Sequence, residues 1–344
     1  MSAGSDATGQ STSSVVDCSD ALREQLDALE ALIKEQDHFL VVGHVSPDGD
    51  AVGSTLALAL LLEEQNKQVT VYNRDPIPYN FEFLPGAQKW RTDLDDISPV
   101  DVTVLLDCAT PSRIGEDFPD QGWGETVAVV DHHASWDPDF ADLYVRDVAA
   151  AATGEVLYRL AVRFGEISLD VAKNLYCCVM TDTGSFRYSN TSRTAFRVAG
   201  ELVERGVEPW EMSTEIYENQ PRQRLDLLCK VLETLSVSAD GQLAFLRVEK
   251  RMVEGLDVDE DLTDGFINYA RSISGVEVAT QMRQLDGASW RVSFRSRGFV
   301  DVSALAERFG GGGHKNAAGC VIDDSPDNIE QKLSQALKEL LADE

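Results

Sequence analysis

Short apolar runs that alternate with helical segments constrain this chain more than any other feature. HFLVVGH (38–44), QVTVYNRD (68–75), DVTVLLDCA (101–109) and ETVAVVDHH (125–133) read as strands. AVGSTLALALLLEEQ (51–65) reads as a helix, as do 153–164, 168–181 and 192–205. Residues 20–36 form an acidic amphipathic helix with Leu22, Leu26, Leu29 and Leu32 on one stripe. Strands interleaved with helices predict βαβ units and a parallel sheet. In such an open sheet, ligands bind beyond the carboxyl ends of the strands, and three of the four runs end in aspartate or histidine.

The texture changes after the charged, helical stretch 208–234. QLAFLRVEK (242–250), VEVATQMRQL (276–285) and SWRVSFRSR (289–297) read as strands. VDVSALAERF (300–309) reads as a helix, GGGGHKNAAG (310–319) as a turn-forming loop, and 327–342 as an amphipathic helix. The fold class expected is therefore α/β: an N-terminal parallel-sheet domain and a second, smaller α/β domain. The boundaries expected are a disordered N-terminus over 1–19, a first domain over 20–220, a helical linker over 221–235 and a second domain over 236–344. A length of 344 residues with 43% hydrophobic content supports two packed cores.

The formal net charge is −29, with nine lysines against twenty-one arginines, and the negative charge is spread along the whole chain. This argues against a broad basic surface for a long duplex but leaves room for a small phosphorylated substrate. It also points to a salty cytosol, where a short Debye length screens self-repulsion. Melting temperature against KCl checks that reading: stability should rise with salt, and a protein most stable without salt would refute it. The six cysteines form no C-x-x-C pair, no secretory signal is evident and no apolar run reaches membrane-spanning length. A reducing, cytoplasmic setting without membrane attachment is expected.

Several residues offer chemistry, each with a plainer alternative. His44-x-x-x-Asp48-x-Asp50 follows a strand and opens a helix; taken alone, Pro47-Asp48-Gly49 is a turn and Asp50 a helix cap. Asp107 ends a strand and could simply satisfy loop amides. Asp131-His132-His133 ends another, and two adjacent histidines on a strand point to opposite faces, so one ligates while the other meets substrate or packs. Asp182 lies where a helix ends in TDTGSFRYSNTS. Topology gathers these groups at one sheet edge. So many carboxylates together are unfavourable unless cations neutralise them. Oxygen and imidazole donors without an obvious thiolate suit Mn²⁺ or Mg²⁺ better than structural zinc. Arg295 and Arg113 are candidate phosphate clamps, Arg187 follows Asp182 and could line the site or as easily pair with a surface carboxylate, and the glycine run could bring backbone N–H groups to a phosphate.

HVSPDGDAVGS, LLDCATPSRIG, VVDHHAS and TDTGSFRYSNTS resemble, in order and spacing, the four motifs of the DHH phosphoesterase family. GGGGHKNAAG resembles the hallmark of the DHHA1 domain that follows the catalytic domain in one branch. The resemblance implies two Mn²⁺ per site, with Mg²⁺ or Co²⁺ as substitutes. His44, Asp48 and Asp107 would hold one ion, and Asp50, Asp107, His132 and Asp182 the other, with Asp107 as the bridge. It implies a shared hydroxide attacking phosphorus in line. Asp131 would orient a histidine and His133 would face the scissile phosphate. Gly311, Gly312, Gly313 and His314 would hold the substrate's terminal phosphate or base, facing the metals across the interdomain cleft.

The compact two-domain layout most resembles the short-oligonucleotide exonucleases that also dephosphorylate 3′-phosphoadenosine 5′-phosphate. A cyclic di-AMP or pApA phosphodiesterase and a RecJ-like single-strand exonuclease are the alternatives. A non-catalytic nucleic-acid-binding module is a remoter one, since an idle site would be expected to have lost a ligand. Dimerisation is an expectation from the resemblance alone.

Overall fold

The computed structural model describes residues 18–115, 118, 124–254, 260–263 and 265–342; residues 1–17, most of the N-terminal stretch expected to be disordered, lie outside them. The chain divides into two compact units between Asn219 and Gln220.

The first unit carries helix α1 (Asp20–Glu35), strand β1 (His38–Gly43), α2 (Gly49–Glu64), β2 (Gln68–Tyr72), β3 (Trp90–Arg91), β4 (Val102–Leu106), β5 (Thr126–Asp131), β6 (Leu143–Arg146), α3 (Thr153–Ala161), α4 (Leu169–Asp182), α5 (Arg193–Glu204) and α6 (Pro209–Ser213). Its six strands are all parallel, in the order β3-β2-β1-β4-β5-β6. The continuous apolar character of the central strands follows from burial on both faces. Phe39, Val41, Val104, Leu106, Ala128 and Val130 pack into the core shared with the helices. The alternate residues Leu40, Val42, Leu105 and Val129 pack on the opposite face, beneath Leu94, Ala109 and Ile114. The short outer strands β3 and β6 lack a long apolar run, and so escape a reading based on such runs.

Helix α2 is buried nearly all round. Gly49 and Gly53, one turn apart, face α4: a Cβ at Gly49 would lie 2.5 Å from the Thr181 side chain, and one at Gly53 2.6 Å from the Asn174 carbonyl. Gly154 at the start of α3 approaches Cys178 as closely, at 2.3 Å. These glycines let three helices meet backbone to backbone. The starts of α2 and α3 therefore converge with the end of α4 beside the sheet edge.

The second unit carries α7 (Arg222–Leu232), β7 (Ser236–Val237), β8 (Leu243–Val248), α8 (Lys250–Val253), α9 (Ile267–Arg271), β9 (Val278–Gln284), β10 (Ser289–Ser296), α10 (Val302–Glu307), β11 (Gly312–His314), β12 (Ala317–Asp323) and α11 (Pro326–Ala342). Its mixed sheet runs β11-β12-β10-β9-β8-β7, with β8 and β9 parallel and the other pairs antiparallel. One face packs Phe245, Met282, Val292 and Phe294 with Leu305, Leu333 and Leu337. The other packs Leu246, Val248 and Ala279 with Leu227, Leu228, Val231 and Phe266. The helix within 221–235 thus presents apolar residues at helical spacing to the second unit's core. The glycine run departs from the expected loop: Gly312–His314 pair antiparallel with Ala317–Gly319 as a hairpin. Among the described residues, no helix is long and apolar enough to cross a membrane.

Candidate metal centre

The order β2-β1-β4-β5 reverses direction between β1 and β4, which is where an open parallel sheet forms its ligand crevice. The turns after these two strands carry His44, Asp48 and Asp50 on one side and Asp107 on the other. Asp48 caps α2, its Oδ1 accepting from the N–H of Asp50 (3.0 Å) and Ala51 (3.1 Å). Turn chemistry and ligand placement thus coexist in the same residue. Asp107 adopts a left-handed backbone (φ 57°), as does Ser46 (φ 52°). For a non-glycine residue that conformation costs about 1–2 kcal/mol, and aspartate tolerates it better than most. It turns the chain sharply just after β4.

Two groups of donor atoms result, each within 4.8 Å mutually: His44, Asp48 and Asp107, and Asp50, His132 and Asp182. His44 Nε2 lies 3.8 Å from Asp48 Oδ1 and 3.3 Å from Asp107 Oδ2. His132 Nε2 lies 3.7 Å from Asp50 Oδ2, 3.7 Å from Asp182 Oδ2 and 3.5 Å from Asp107 Oδ1. The two oxygens of Asp107 therefore face the two groups.

Whether a cation suits this place is testable on the histidines. Each turns Nδ1 to a backbone carbonyl, His44 to Val45 (2.8 Å) and His132 to Ala150 (3.2 Å). A carbonyl only accepts, so Nδ1 carries a proton in either charge state, and in the neutral ring Nε2 keeps its lone pair. His44 Nε2 is buried and, despite the nearby Asp107 oxygen, has no partner in hydrogen-bond geometry. An orphaned lone pair among crowded carboxylates fits a divalent cation. The crowding shows in the acidities. Burial, then the charge of Asp107, pushes Asp50 up to about 7. Burial, then Asp50, raises Asp182 well above the ordinary carboxylate range. Burial would raise Asp107 too, but with their imidazoles charged His133 and His44 outweigh it and hold it well below that range.

The adjacent histidines depart from the expected alternation. β5 ends at Asp131, so His132 and His133 lie past the last pleat and both turn inward, their ring centroids 4.6 Å apart. His133 Nδ1 lies 2.7 Å from Asp131 Oδ1 and 3.3 Å from Asp107 Oδ1, and Asp107, His132 and His133 also lie close enough to share an ion. Asp131 is fully buried, and its Oδ1 also accepts the N–H of His132 (2.8 Å) and His133 (3.2 Å). Burial pulls the His133 imidazole down, but Asp107 and Asp131 prevail and hold it up at about 10.

Four supporting residues were not singled out in the sequence, although Asn190 lies within TDTGSFRYSNTS. The N–H groups of Thr153 (2.6 Å) and Gly154 (3.1 Å) donate to the two oxygens of Asp50, and Thr153 Oγ1 donates to Asp107 Oδ1 (2.9 Å). Asn190 Nδ2 donates to Asp182 Oδ2 (3.3 Å), and Asn73 Nδ2 to the His44 carbonyl (2.8 Å). A threonine at the start of a helical segment reads as a cap, but Ala152 precedes α3 and no side chain caps it, so Thr153 Oγ1 is left to Asp107; Asn73 carried no signal.

Of the arginines, Arg113 Nη1 lies 3.3 Å from His133 Nε2. Arg187 is exposed and its Nε donates to the Gly184 carbonyl (2.6 Å). Arg295, on β10, donates from Nη1 to the Phe294 carbonyl (3.0 Å). Gly311, Gly312 and Gly313 sit at the β11 hairpin, and the backbone of His314 ends β11; its side chain lies outside what is described. Cys108, Cys177 and Cys178 are buried, with thiols that burial pushes up.

Comparison with known proteins gives the same division. The profile of the "DHH family, N-terminal domain" matches residues 38–182, and that of the "DHHA1 domain" matches 240–343. The chain is 33% identical over 303 residues to the bifunctional oligoribonuclease and PAP phosphatase NrnA of Thermus thermophilus, covering 88% of this chain and 89% of that protein. It is 27% identical over 311 residues to the protein of the same name from Bacillus subtilis, covering 88% and 96%. A crystal structure of an exopolyphosphatase-related protein from Bacteroides fragilis superposes with a TM-score of 0.84 at 28% identity, covering 92% of this chain and 96% of that one.

Proposed function

The chain belongs to the DHH family of phosphoesterases, with a DHHA1 domain behind the catalytic one, and on that premise we propose that it is a manganese-dependent hydrolase of short oligonucleotides, of 3′-phosphoadenosine 5′-phosphate, or of both. The observation that carries this is Asp107, whose two oxygens face two separate donor groups. His44, Asp48 and Asp107 would hold one cation, and Asp50, Asp107, His132 and Asp182 the other. Such cations supply Lewis-acid activation of water and neutralise charge on the phosphoryl group.

The chain's own residues do the rest. Asp131 takes the His133 Nδ1 proton into a 2.7 Å hydrogen bond, which fixes the ring and leaves Nε2 toward Arg113. With the imidazole charged, His133 and Arg113 both offer N–H to one point. A phosphoryl oxygen there accepts from each, and His133 Nε2 can then pass its proton to the leaving oxygen. In the second unit, Arg295, the β11 glycines and His314 are the residues that would bind a phosphate or base, through charge and close backbone approach. The acidic surface fits a protein working in a salty cytoplasm.

The test is purified protein with Mn²⁺ in high KCl against pApA, longer RNA, single-stranded DNA, 3′-phosphoadenosine 5′-phosphate and cyclic di-AMP. Cleavage of the dinucleotide and of 3′-phosphoadenosine 5′-phosphate, abolished by chelation, is expected. Inactivity on every substrate would overturn the proposal. A His133→Ala variant with full turnover would remove His133 from it.

A further inference from the structure

Two buried charges next to the centre have no part in the mechanism above. Glu155 is 0% exposed and Arg159 5%, one turn apart on α3, with Arg159 Nη2 4.0 Å from Glu155 Oε2. Arg159 Nη1 reaches Asp147 Oδ2 at 3.0 Å. Buried ion pairs seldom add net stability, because desolvation offsets their attraction. This one is imperfect as well: Glu155 Oε2 and Arg159 Nε lack hydrogen-bond partners. Replacing such residues by apolar ones would commonly be neutral or favourable for folding, so stability alone gives little reason for them to be there.

What they hold is the backbone of residues 147–152. Glu155 Oε1 accepts the Ala151 N–H (3.1 Å), Asp147 Oδ1 accepts the Ala149 N–H (3.1 Å), and the Ala150 N–H donates to the Asp147 carbonyl (3.0 Å). That stretch and the two residues after it reach each ligand of one donor group, Asp182 only through Asn190. The Ala150 carbonyl takes the His132 Nδ1 proton, at 3.2 Å. The Ala151 carbonyl accepts from Asn190 Nδ2 (3.1 Å), and the same nitrogen donates to Asp182 Oδ2. Thr153 and Gly154 hold Asp50, and Thr153 Oγ1 holds Asp107. The other group shares only the Thr153 contact, through the bridging Asp107; His44 is supported by the Val45 carbonyl and by Asn73, and Asp48 by its own cap on α2.

We propose that Asp147, Glu155 and Arg159 are positioning residues for a single cation, the one held by Asp50, His132 and Asp182, acting through the backbone of residues 150–154. The inference rests on the reading above that these groups hold cations. The triad sets the carbonyl that fixes the His132 tautomer and aims the amides that fix Asp50. Disturbing it therefore weakens that ion far more than its neighbour, which shares with it only the Thr153 contact to Asp107.

The test is Mn²⁺ binding to the whole, substrate-free protein, read from the electron paramagnetic resonance signal of the free ion, with thermal melts alongside. Wild type should bind two ions per chain. Glu155→Leu should weaken one of them by about 10–100-fold, the range for loss of a group that orients a metal ligand, and leave the other within about threefold. Glu155→Gln keeps an oxygen for the Ala151 N–H and should retain both. Asp147→Asn, at a more accessible position, should shift the same ion by a smaller factor and provides the reading if Glu155→Leu does not fold. Two ions bound as in wild type by Glu155→Leu would overturn the inference, as would equal weakening of both, or a Gln variant no better than Leu. A wild type that binds no Mn²⁺ would overturn the centre itself, and the inference with it, before any substitution is compared.

Discussion

The metal-centre turns of the first unit and the glycine hairpin of the other unit are both compact sequence motifs, but their residues do different things. In the first unit, candidate donor atoms are aimed by backbone partners. Asp50 is held by two amides, while His44 and His132 are each fixed by a carbonyl. In the second unit, two of the four glycines of the run answer to packing. A Cβ at Gly311 would lie 2.1 Å from the Gly319 carbonyl oxygen, and one at Gly313 2.5 Å from Ala318 Cα, with a φ of +148°. A Cβ at Gly312 would meet nothing within 4 Å. Polar motif residues can thus be demanded by chemistry while neighbouring motif glycines are demanded by the strand beside them.

The largest effect that could break this contrast is at Asp107. Asp107→Ala removes the carboxylate shared by both donor groups and should lower turnover by about 10³-fold or more. Steady-state rates on pApA with saturating Mn²⁺ measure it, and a rate near wild type would show that the first unit's site is not the reacting centre. Next in size is Gly313→Ala. The strained backbone and the clash with Ala318 should cost about 2–4 kcal/mol, visible in denaturant unfolding of the second unit. A Gly313→Ala variant as stable as wild type would mean that the hairpin does not need glycine there.

The parallel sheet and its ligand edge were legible because burial on both faces leaves uninterrupted apolar runs, each ending in the residue that matters. Asp48, Asp50, Asp107 and Asp182 could be read from their places at element ends. The support was not legible. Thr153 and Gly154 come to Asp50 because Gly154 lets α3 lie against Cys178 of α4, a contact between residues far apart in sequence. Asn190 reaches Asp182 across a turn in which Gly184, Ser185 and Phe186 all adopt left-handed backbone. The inward turn of both His132 and His133 depends on β5 stopping two residues before the end of the apolar-to-histidine run, at Asp131, a boundary that strand propensity does not fix. Likewise, the glycine run reads as a loop until its pairing with Ala317–Gly319 is known.

The smallest effect separates packing from chemistry within the hairpin itself. Gly312→Ala adds a methyl group where there is open space, so stability should stay within about 0.5 kcal/mol of wild type. If this backbone approaches a substrate phosphate, the same methyl group obstructs it. A steric loss of about 1.4 kcal/mol would raise KM roughly tenfold while kcat holds. Melts and substrate titrations on one preparation give both numbers. A stable variant with raised KM would make Gly312 the one member of Gly311–Gly313 set by the ligand rather than by β12. Unchanged KM would assign the hairpin's glycines to structure alone and leave Arg295 and His314 as the binding candidates of the second unit.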